Sequence, residues 1–223
     1  MNSGARVFYA YAIHSLMNSS WTIADQMRKF ASMSSEGLYK NSTVSLGLAY
    51  DFFFASDKEL TNQVLQLARV HNASVLTSHY VGGPFLGKKL DNSPEVLDQF
   101  GAFETDTPVI LSHAAGLTEE GREIMRQRNQ YIATTPESEL QLLFDTQNST
   151  RLLQDQGSLG IATNFGFTAD LMTQARLWLQ RVRGLVAEPI VAAGYWPSTN
   201  PMSVNQAFLM ATRHGGLALR RND

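Results

Sequence analysis

The hydrophobic pattern of the chain alternates between short apolar runs and longer segments in which apolar residues recur at helical spacing. Short runs rich in aromatic and β-branched residues are typical of strands buried in a sheet. The pattern predicts six of them: Arg6–Ala12, Thr43–Tyr50, Ser74–Ser78, Pro108–Ser112, Tyr131–Thr134 and Leu159–Thr163. Strands that alternate with amphipathic helices indicate βα units and a parallel sheet, so the predicted class is α/β.

Residues that favour helix starts fall between these strands. Helix N-caps, whose side chains accept a bond from a backbone N–H, are predicted at Ser56, Ser93, Thr118, Thr168 and Ser203. The last helix is predicted to stop at Gly215-Gly216, and Leu185–Pro201 is predicted to be a loop that contains prolines. At 223 residues, the chain is predicted to form a single domain that spans residues 1–223.

Composition excludes several classes of protein. Hydrophobic residues make up 43% and charged residues 17%, which predicts a folded chain rather than a disordered one. A net charge of -2 offers no basic surface for nucleic acid or an anionic membrane. The absence of cysteine excludes disulfides, thiolate ligands and cysteine nucleophiles. Because no apolar run approaches ~20 residues and no signal-peptide pattern is present, a cytoplasmic protein is expected.

Two predicted strands lead directly into a histidine. Leu76-Thr-Ser-His79 continues into a loop of small residues, and Val109-Ile-Leu-Ser-His113 does the same. Active sites in (β/α) barrels lie at the carboxyl ends of the strands. His79 and His113 are therefore the candidate metal ligands or acid/base groups.

Three acidic residues are candidates for catalytic work. Asp51 follows the second predicted strand, and Glu137 and Glu139 follow the fifth. The glutamates could contact substrate or act as acid and base, but they could equally be solvated loop carboxylates. Asp170 is predicted to be an acid in the first turn of a helix rather than a base. Tyr80 could shape a pocket or only pack.

Several segments, in this order and spacing, resemble the amidohydrolase superfamily and, within it, the deaminase and chlorohydrolase-like branch. The similar segments are Leu76–Gly83 for the family's fifth strand, Leu111–Leu117 for the sixth, Thr134–Leu140 for the seventh-strand loop, Leu159–Leu179 for the eighth strand and its helix, and Asn205–Leu219 for a later helix. The resemblance implies a partial (β/α)8 TIM barrel of about six βα units, family strands 3 to 8. The chain is then expected to be truncated, without strands one and two and without the β-sandwich extension.

The family's active site implies a divalent metal, Zn or Fe, that generates hydroxide from bound water. Its ligands are a His-x-His pair on strand one, histidines on strands five and six, and an aspartate on strand eight that also acts as base. By resemblance, His79 occupies the strand-five position and His113 the strand-six position. The sequence contains no His-x-His pair, and the aspartate is replaced by Ala162 or, in a shifted alignment, by Asn164.

Two functions follow from these expectations. The first is a metal-dependent hydrolase or deaminase that acts on C–N bonds of a small cyclic substrate, with a degraded metal site. The alternative is a catalytically inactive truncated paralogue, a pseudoenzyme or partial gene product, that acts through partner binding. A six-stranded open barrel has two bare sheet edges, so a homo-oligomer that covers them is also expected.

Overall fold

Helices and strands alternate along the chain. The computed structural model describes residues 4–15, 20–37, 39, 42–54, 57–82, 91–142, 146–161, 166 and 168–221. The strands in these residues are β1 (Val7–Ile13), β2 (Val44–Tyr50), β3 (Leu76–Val81), β4 (Val109–Ala115), β5 (Tyr131–Thr134) and β6 (Gly157–Leu159). The helices are α1 (Ile23–Ser35), α2 (Lys58–Val70), α3 (Pro94–Gln99), α4 (Glu119–Gln127), α5 (Pro136–Gln141), α6 (Thr146–Leu152), α7 (Leu171–Ala192), α8 (Val204–Ala211) and α9 (Arg213–Ala218).

The six strands form one sheet and follow each other in sequence order. β1 runs parallel to β2, with Val7 opposite Val44. β2 runs parallel to β3, with Leu48 opposite Leu76, and β5 runs parallel to β6. Each parallel pair needs a connection that returns the chain to the same end of the sheet, which the intervening helices provide. The predicted α/β class with six parallel strands is confirmed.

The chain divides into two compact units. Unit 1 comprises Met1–His79 and Leu90–Ile110, and unit 2 comprises Tyr80–Lys89 and Leu111–Asp223. Buried side chains of unit 1 include Phe30, Leu48, Phe53, Val64 and Leu97, and those of unit 2 include Leu111, Met125, Ile132, Trp178 and Met210. The prediction of a single domain stays a prediction.

Three of the five predicted N-caps are confirmed, at Ser93, Thr118 and Ser203. Thr168 is not a cap, because α7 begins after Asp170, whose carboxylate accepts from the N–H groups of Met172 and Thr173. Asp170 was predicted to lie in the first turn of this helix, but it lies just before that turn, at the N-cap.

The helix that follows β2 also begins later than predicted. Ser56 lies outside the described residues, and the cap of α2 is Asp57, whose side chain accepts from the N–H of Leu60. α2 forms because its buried residues Thr61, Val64, Leu65 and Ala68 recur at helical spacing and face the core of unit 1.

Two predicted ends near the C-terminus are wrong. α7 extends to Ala192 and includes Pro189, so the first eight residues of the predicted loop Leu185–Pro201 are helical. Proline lacks the N–H donor of a helix interior and usually ends or kinks a helix, yet α7 continues through Pro189. The last helix does not stop at Gly215-Gly216, since α8 ends at Ala211 and α9 continues through both glycines.

Strand ends differ from the prediction in a way that affects the candidate site. β3 and β4 continue past their predicted ends, so His79 and His113 lie inside strands rather than after them. β6 is shorter and earlier than the predicted Leu159–Thr163, because Gly157–Leu159 pairs with Ile132–Thr134 of β5. Among the described helices, none combines the length and the apolar character needed to cross a bilayer.

Candidate functional site

In unit 1, His79 is paired with Asp51. His79 lies in β3, and Asp51 is the first residue after β2. Nδ1 of the imidazole lies 2.9 Å from Oδ2 of Asp51, and the backbone N–H of His79 donates to Oδ1 at 2.7 Å. The carboxylate therefore contacts both the ring and the backbone of the same histidine, which restrains the orientation of the ring.

An asparagine that the sequence analysis missed supports Asp51. The side-chain amide of Asn92 donates to the carbonyl of Asp51 at 2.8 Å, and its oxygen accepts from the N–H of Phe53 at 2.8 Å. Asn92 has a φ of 59°, in the left-handed region that asparagine tolerates better than most residues. The signal available in the sequence was its place directly before the predicted helix cap at Ser93.

The pairing shifts both ionisation equilibria in unit 1. The hydrogen bond to Asp51 raises the pKa of His79, against the opposing effect of burial. Burial raises the pKa of Asp51, but hydrogen bonds from the His79 ring and backbone outweigh it, so the net shift is downward. Because the side chain of His79 is 61% exposed and that of Asp51 is 41% exposed, solvent screens this ion pair.

We expect the Asp51–His79 pair to stabilise the fold most between about pH 4 and 6.5, the ordinary pKa values of the two groups. The Asp51 contribution is lost as the pH falls through its lowered pKa, and that of His79 as the pH rises through its raised pKa. A double-mutant cycle with Asp51→Ala and His79→Ala should give a coupling energy below about 1 kcal/mol near pH 5.5. Urea unfolding measures it, and a coupling that persists unchanged near pH 8.5 would contradict the assignment.

In unit 2, His113 is paired with Glu139. His113 lies in β4 and Glu139 in the short helix α5. Nδ1 of His113 lies 2.8 Å from Oε1 of Glu139. The Glu139 side chain is fully buried, and that of His113 is only 21% exposed. This pair is therefore much better shielded from water than the pair in unit 1.

The buried carboxylate of Glu139 is held by several donors. Oε1 accepts from the backbone N–H of Thr135 at 2.7 Å and from its hydroxyl at 3.3 Å, and Oε2 accepts from the hydroxyl of Thr134. The alternative in which Glu139 is a solvated loop carboxylate is wrong. Pro136 starts a helix directly after β5, and this helix turns Glu139 back into the interior.

Glu137 has a different set of partners. Its Oε2 accepts from the side-chain amide of Gln174 at 3.0 Å and from the N–H of Thr168 at 3.4 Å. Its backbone N–H donates to the side-chain oxygen of Gln174 at 3.0 Å. Glu137 therefore ties α5 to the start of α7 through a glutamine that is 1% exposed.

The remaining sequence candidates have less to contribute. Tyr80 is 2% exposed, which supports the packing role left open by the sequence. The two alternative positions for the strand-eight aspartate that the resemblance implies, Ala162 or Asn164, lie outside the described residues.

Comparison with solved structures identifies the fold. A guanine deaminase from C. acetobutylicum matches with a TM-score of 0.71 and 18% identity over 96% of this chain and 51% of its own. An adenosine deaminase from Xanthomonas campestris with bound zinc matches with a TM-score of 0.73 and 16% identity. The match covers 99% of this chain and 49% of the deaminase. A variant of atrazine chlorohydrolase from Arthrobacter aurescens, complexed with zinc and atraton, matches with a TM-score of 0.72 and 17% identity. The match covers 98% of this chain and 50% of the chlorohydrolase.

This chain has the fold of these deaminases and hydrolases. The predicted fold, a partial (β/α)8 barrel of about six βα units, is thereby confirmed. The chain spans about half the length of these solved structures. No family model matches the sequence, and no curated protein matches it.

The metal site expected of an amidohydrolase is not complete in the described part of the chain. Within those residues, no group of three or more histidine, aspartate or glutamate side chains is placed to hold a metal ion. Catalytic zinc sites normally use three protein ligands. In each unit, the carboxylate nearest the candidate histidine binds the ring nitrogen Nδ1. The residues described do not fit a self-sufficient catalytic zinc centre.

Proposed function

We propose that this chain is an amidohydrolase-related protein of metal-dependent hydrolase or deaminase type, with a metal site reduced relative to the family's. Its substrate class would be small cyclic molecules with a hydrolysable C–N bond, and its metal Zn or Fe. The deaminases and hydrolases among its structural neighbours support the reaction class. Two zinc-bound neighbours support the choice of metal.

The observation that carries this proposal is the carboxylate placed at Nδ1 of both candidate ligands, His79 and His113. Histidines that bind metals almost always donate their other ring N–H to a carboxylate, a backbone carbonyl or water. This bond leaves Nε2 as the nitrogen whose lone pair can bind a metal or a proton. The sequence analysis identified these two histidines from the apolar runs that precede them, without reference to their carboxylate partners.

The candidate acids do not supply an evident general base. Asp51 and Glu139 each hold a histidine, and Glu137 holds Gln174 and Thr168. These carboxylates position other groups, so we assign none of them to proton transfer with a substrate.

The incomplete site favours a second candidate function. The chain would be a catalytically inactive paralogue that acts through partner binding, as the lack of a three-ligand group in the described residues suggests.

We also propose a cytoplasmic location and a homo-oligomer that covers the β1 edge, where Val7 and Tyr9 are 43% and 44% exposed. Light scattering on the purified protein tests the oligomer.

Metal stoichiometry tests the proposed function. After reconstitution with Zn²⁺ or Fe²⁺, the wild-type chain should retain metal, and His79→Ala and His113→Ala should each lower the amount of metal retained. His14→Ala is the matched control, because His14 lies in an exposed loop after β1. Elemental analysis measures the metal, and ammonia release from guanine or adenosine measures activity. A wild-type chain that retains no metal would overturn the hydrolase proposal and leave the inactive paralogue.

A further inference from the structure

We propose that Glu139 is a positioning residue for His113. It would hold the imidazole in the tautomer with the proton on Nδ1, so that Nε2 is the basic nitrogen before any ligand binds. The use of that nitrogen for metal binding rests on the proposed function, but the tautomer itself does not. The inference is carried by the hydrogen bonds of Glu139, the backbone of His113 and the burial of the pair.

The hydrogen bonds at Glu139 determine where the proton lies. Both oxygens of Glu139 accept from threonine donors, and a neutral imidazole whose Nδ1 contacts an accepting carboxylate oxygen carries its proton on Nδ1. The carboxylate is fixed in place because Thr135 donates to Oε1 and Thr134 to Oε2. Three donors from Thr134 and Thr135 converge on one fully buried side chain, which leaves it little freedom to turn away from His113.

The backbone at His113 has an uncommon conformation. His113 has a φ of 71° and Ala114 a φ of 55°, two successive residues other than glycine in the left-handed region. Both Ala114 and Ala115 are buried, which breaks the alternation of a regular strand. A local distortion of this kind can redirect a side chain. Because the conformation costs free energy, it is kept only where the surrounding structure enforces it. The backbone and Glu139 therefore act on the same imidazole.

Other histidines of the chain provide internal references. Nδ1 of His214 lies 2.9 Å from the carbonyl of Gly157, in a buried position, and a carbonyl can only accept. His214 should therefore also carry its proton on Nδ1. His14 lies in an exposed loop and should show the tautomer preferred in water, with the proton mainly on Nε2.

Long-range ¹H–¹⁵N NMR of the metal-free full chain, labelled at histidine, tests the proposal. Near pH 8, which is above the ordinary histidine pKa of about 6.5, neutral rings dominate in water. We expect His113 to match His214 rather than His14. In Glu139→Ala, the His113 signals should move toward the pattern of His14. Glu139→Gln should retain the wild-type pattern, because an amide oxygen can still accept from Nδ1 and from the N–H of Thr135.

Glu137→Gln is the matched control, since Glu137 lies in the same helix and accepts hydrogen bonds from Gln174 and Thr168. It should leave the His113 signals unchanged. The inference is overturned if wild-type His113 carries its proton on Nε2, or if a folded Glu139→Ala variant shows no change. If Glu139→Ala fails to fold, the spectra of the wild type and of Glu139→Gln still test the inference. Both should show the proton of His113 on Nδ1.

The outcome is independent of the metal measurement. A chain that binds no metal but keeps the proton of His113 on Nδ1 would support this inference and contradict the proposed function. A chain that binds metal while metal-free His113 carries its proton on Nε2 would contradict this inference alone.

Discussion

Replacing Trp178 by alanine should lower the free energy of unfolding by about 3–5 kcal/mol. Trp178 is fully buried at the centre of a cluster in unit 2 that includes Leu159, Val182 and Met210. Truncation removes a large apolar surface and leaves a cavity that the two helices α7 and α8 can only partly fill. It also removes the donor that bonds to the hydroxyl of Thr150 at 2.7 Å.

Urea unfolding followed by far-UV circular dichroism measures this loss. Fluorescence is a poorer probe, because Trp21 and Trp196 are exposed and the variant lacks the buried tryptophan. Trp196→Ala is the matched control, since Trp196 is 88% exposed and its removal should change stability by less than about 0.5 kcal/mol. A loss below about 1 kcal/mol in Trp178→Ala would mean that the cluster does not pack as described.

Replacing Gly47 by alanine should destabilise the chain by about 1–3 kcal/mol, the range found for overpacked cores. Gly47 lies in β2, where β2 runs beside the residue that precedes β3. A Cβ at this position would lie 2.4 Å from Cγ1 of Val75 and 2.8 Å from its carbonyl oxygen. The same carbonyl accepts the N–H of Leu48 at 2.8 Å, so relief of the clash would disturb this bond.

Gly160→Ala provides the comparison for Gly47→Ala. The nearest atom that a Cβ at Gly160 would meet among the described residues is Cγ2 of Thr135 at 3.4 Å, which is an ordinary contact. Its effect on the urea midpoint should be much smaller than that of Gly47→Ala. Combining Gly47→Ala with Val75→Ala should recover only part of the loss, because the backbone oxygen remains. Equal midpoints for the two single variants would contradict this explanation.

Much of the fold was predictable because its signals are local. The strands that contain His79 and His113 stand out as apolar runs with polar or small residues on each side, although the prediction ended each strand one residue before its histidine. The caps at Ser93, Thr118 and Ser203 depend on one side chain and an N–H three residues later. Such features need no knowledge of distant residues.

Other features were missed because their causes are distant in the sequence. α1 was not predicted, although Thr22 and Asp25 form a capping box and Phe30 packs into unit 1. From its position in the sequence, Glu139 could be interpreted as a solvated carboxylate in a loop. In the structure it is buried in α5, where it contacts His113, 26 residues earlier.

By itself, the sequence determined the α/β class, the six strands and the two histidines that follow apolar runs, because hydrophobic periodicity and capping are local properties of the chain. The tertiary structure alone decided which carboxylate meets which histidine. Asp51 reaches His79 across 28 residues, and Glu139 reaches His113 across 26. Carboxylates distant in sequence become neighbours of these rings only when strands and helices pack, and burial then sets how strongly water screens each pair. The exposed pair in unit 1 and the buried pair in unit 2 therefore differ in chemistry, although both are a histidine and an acid.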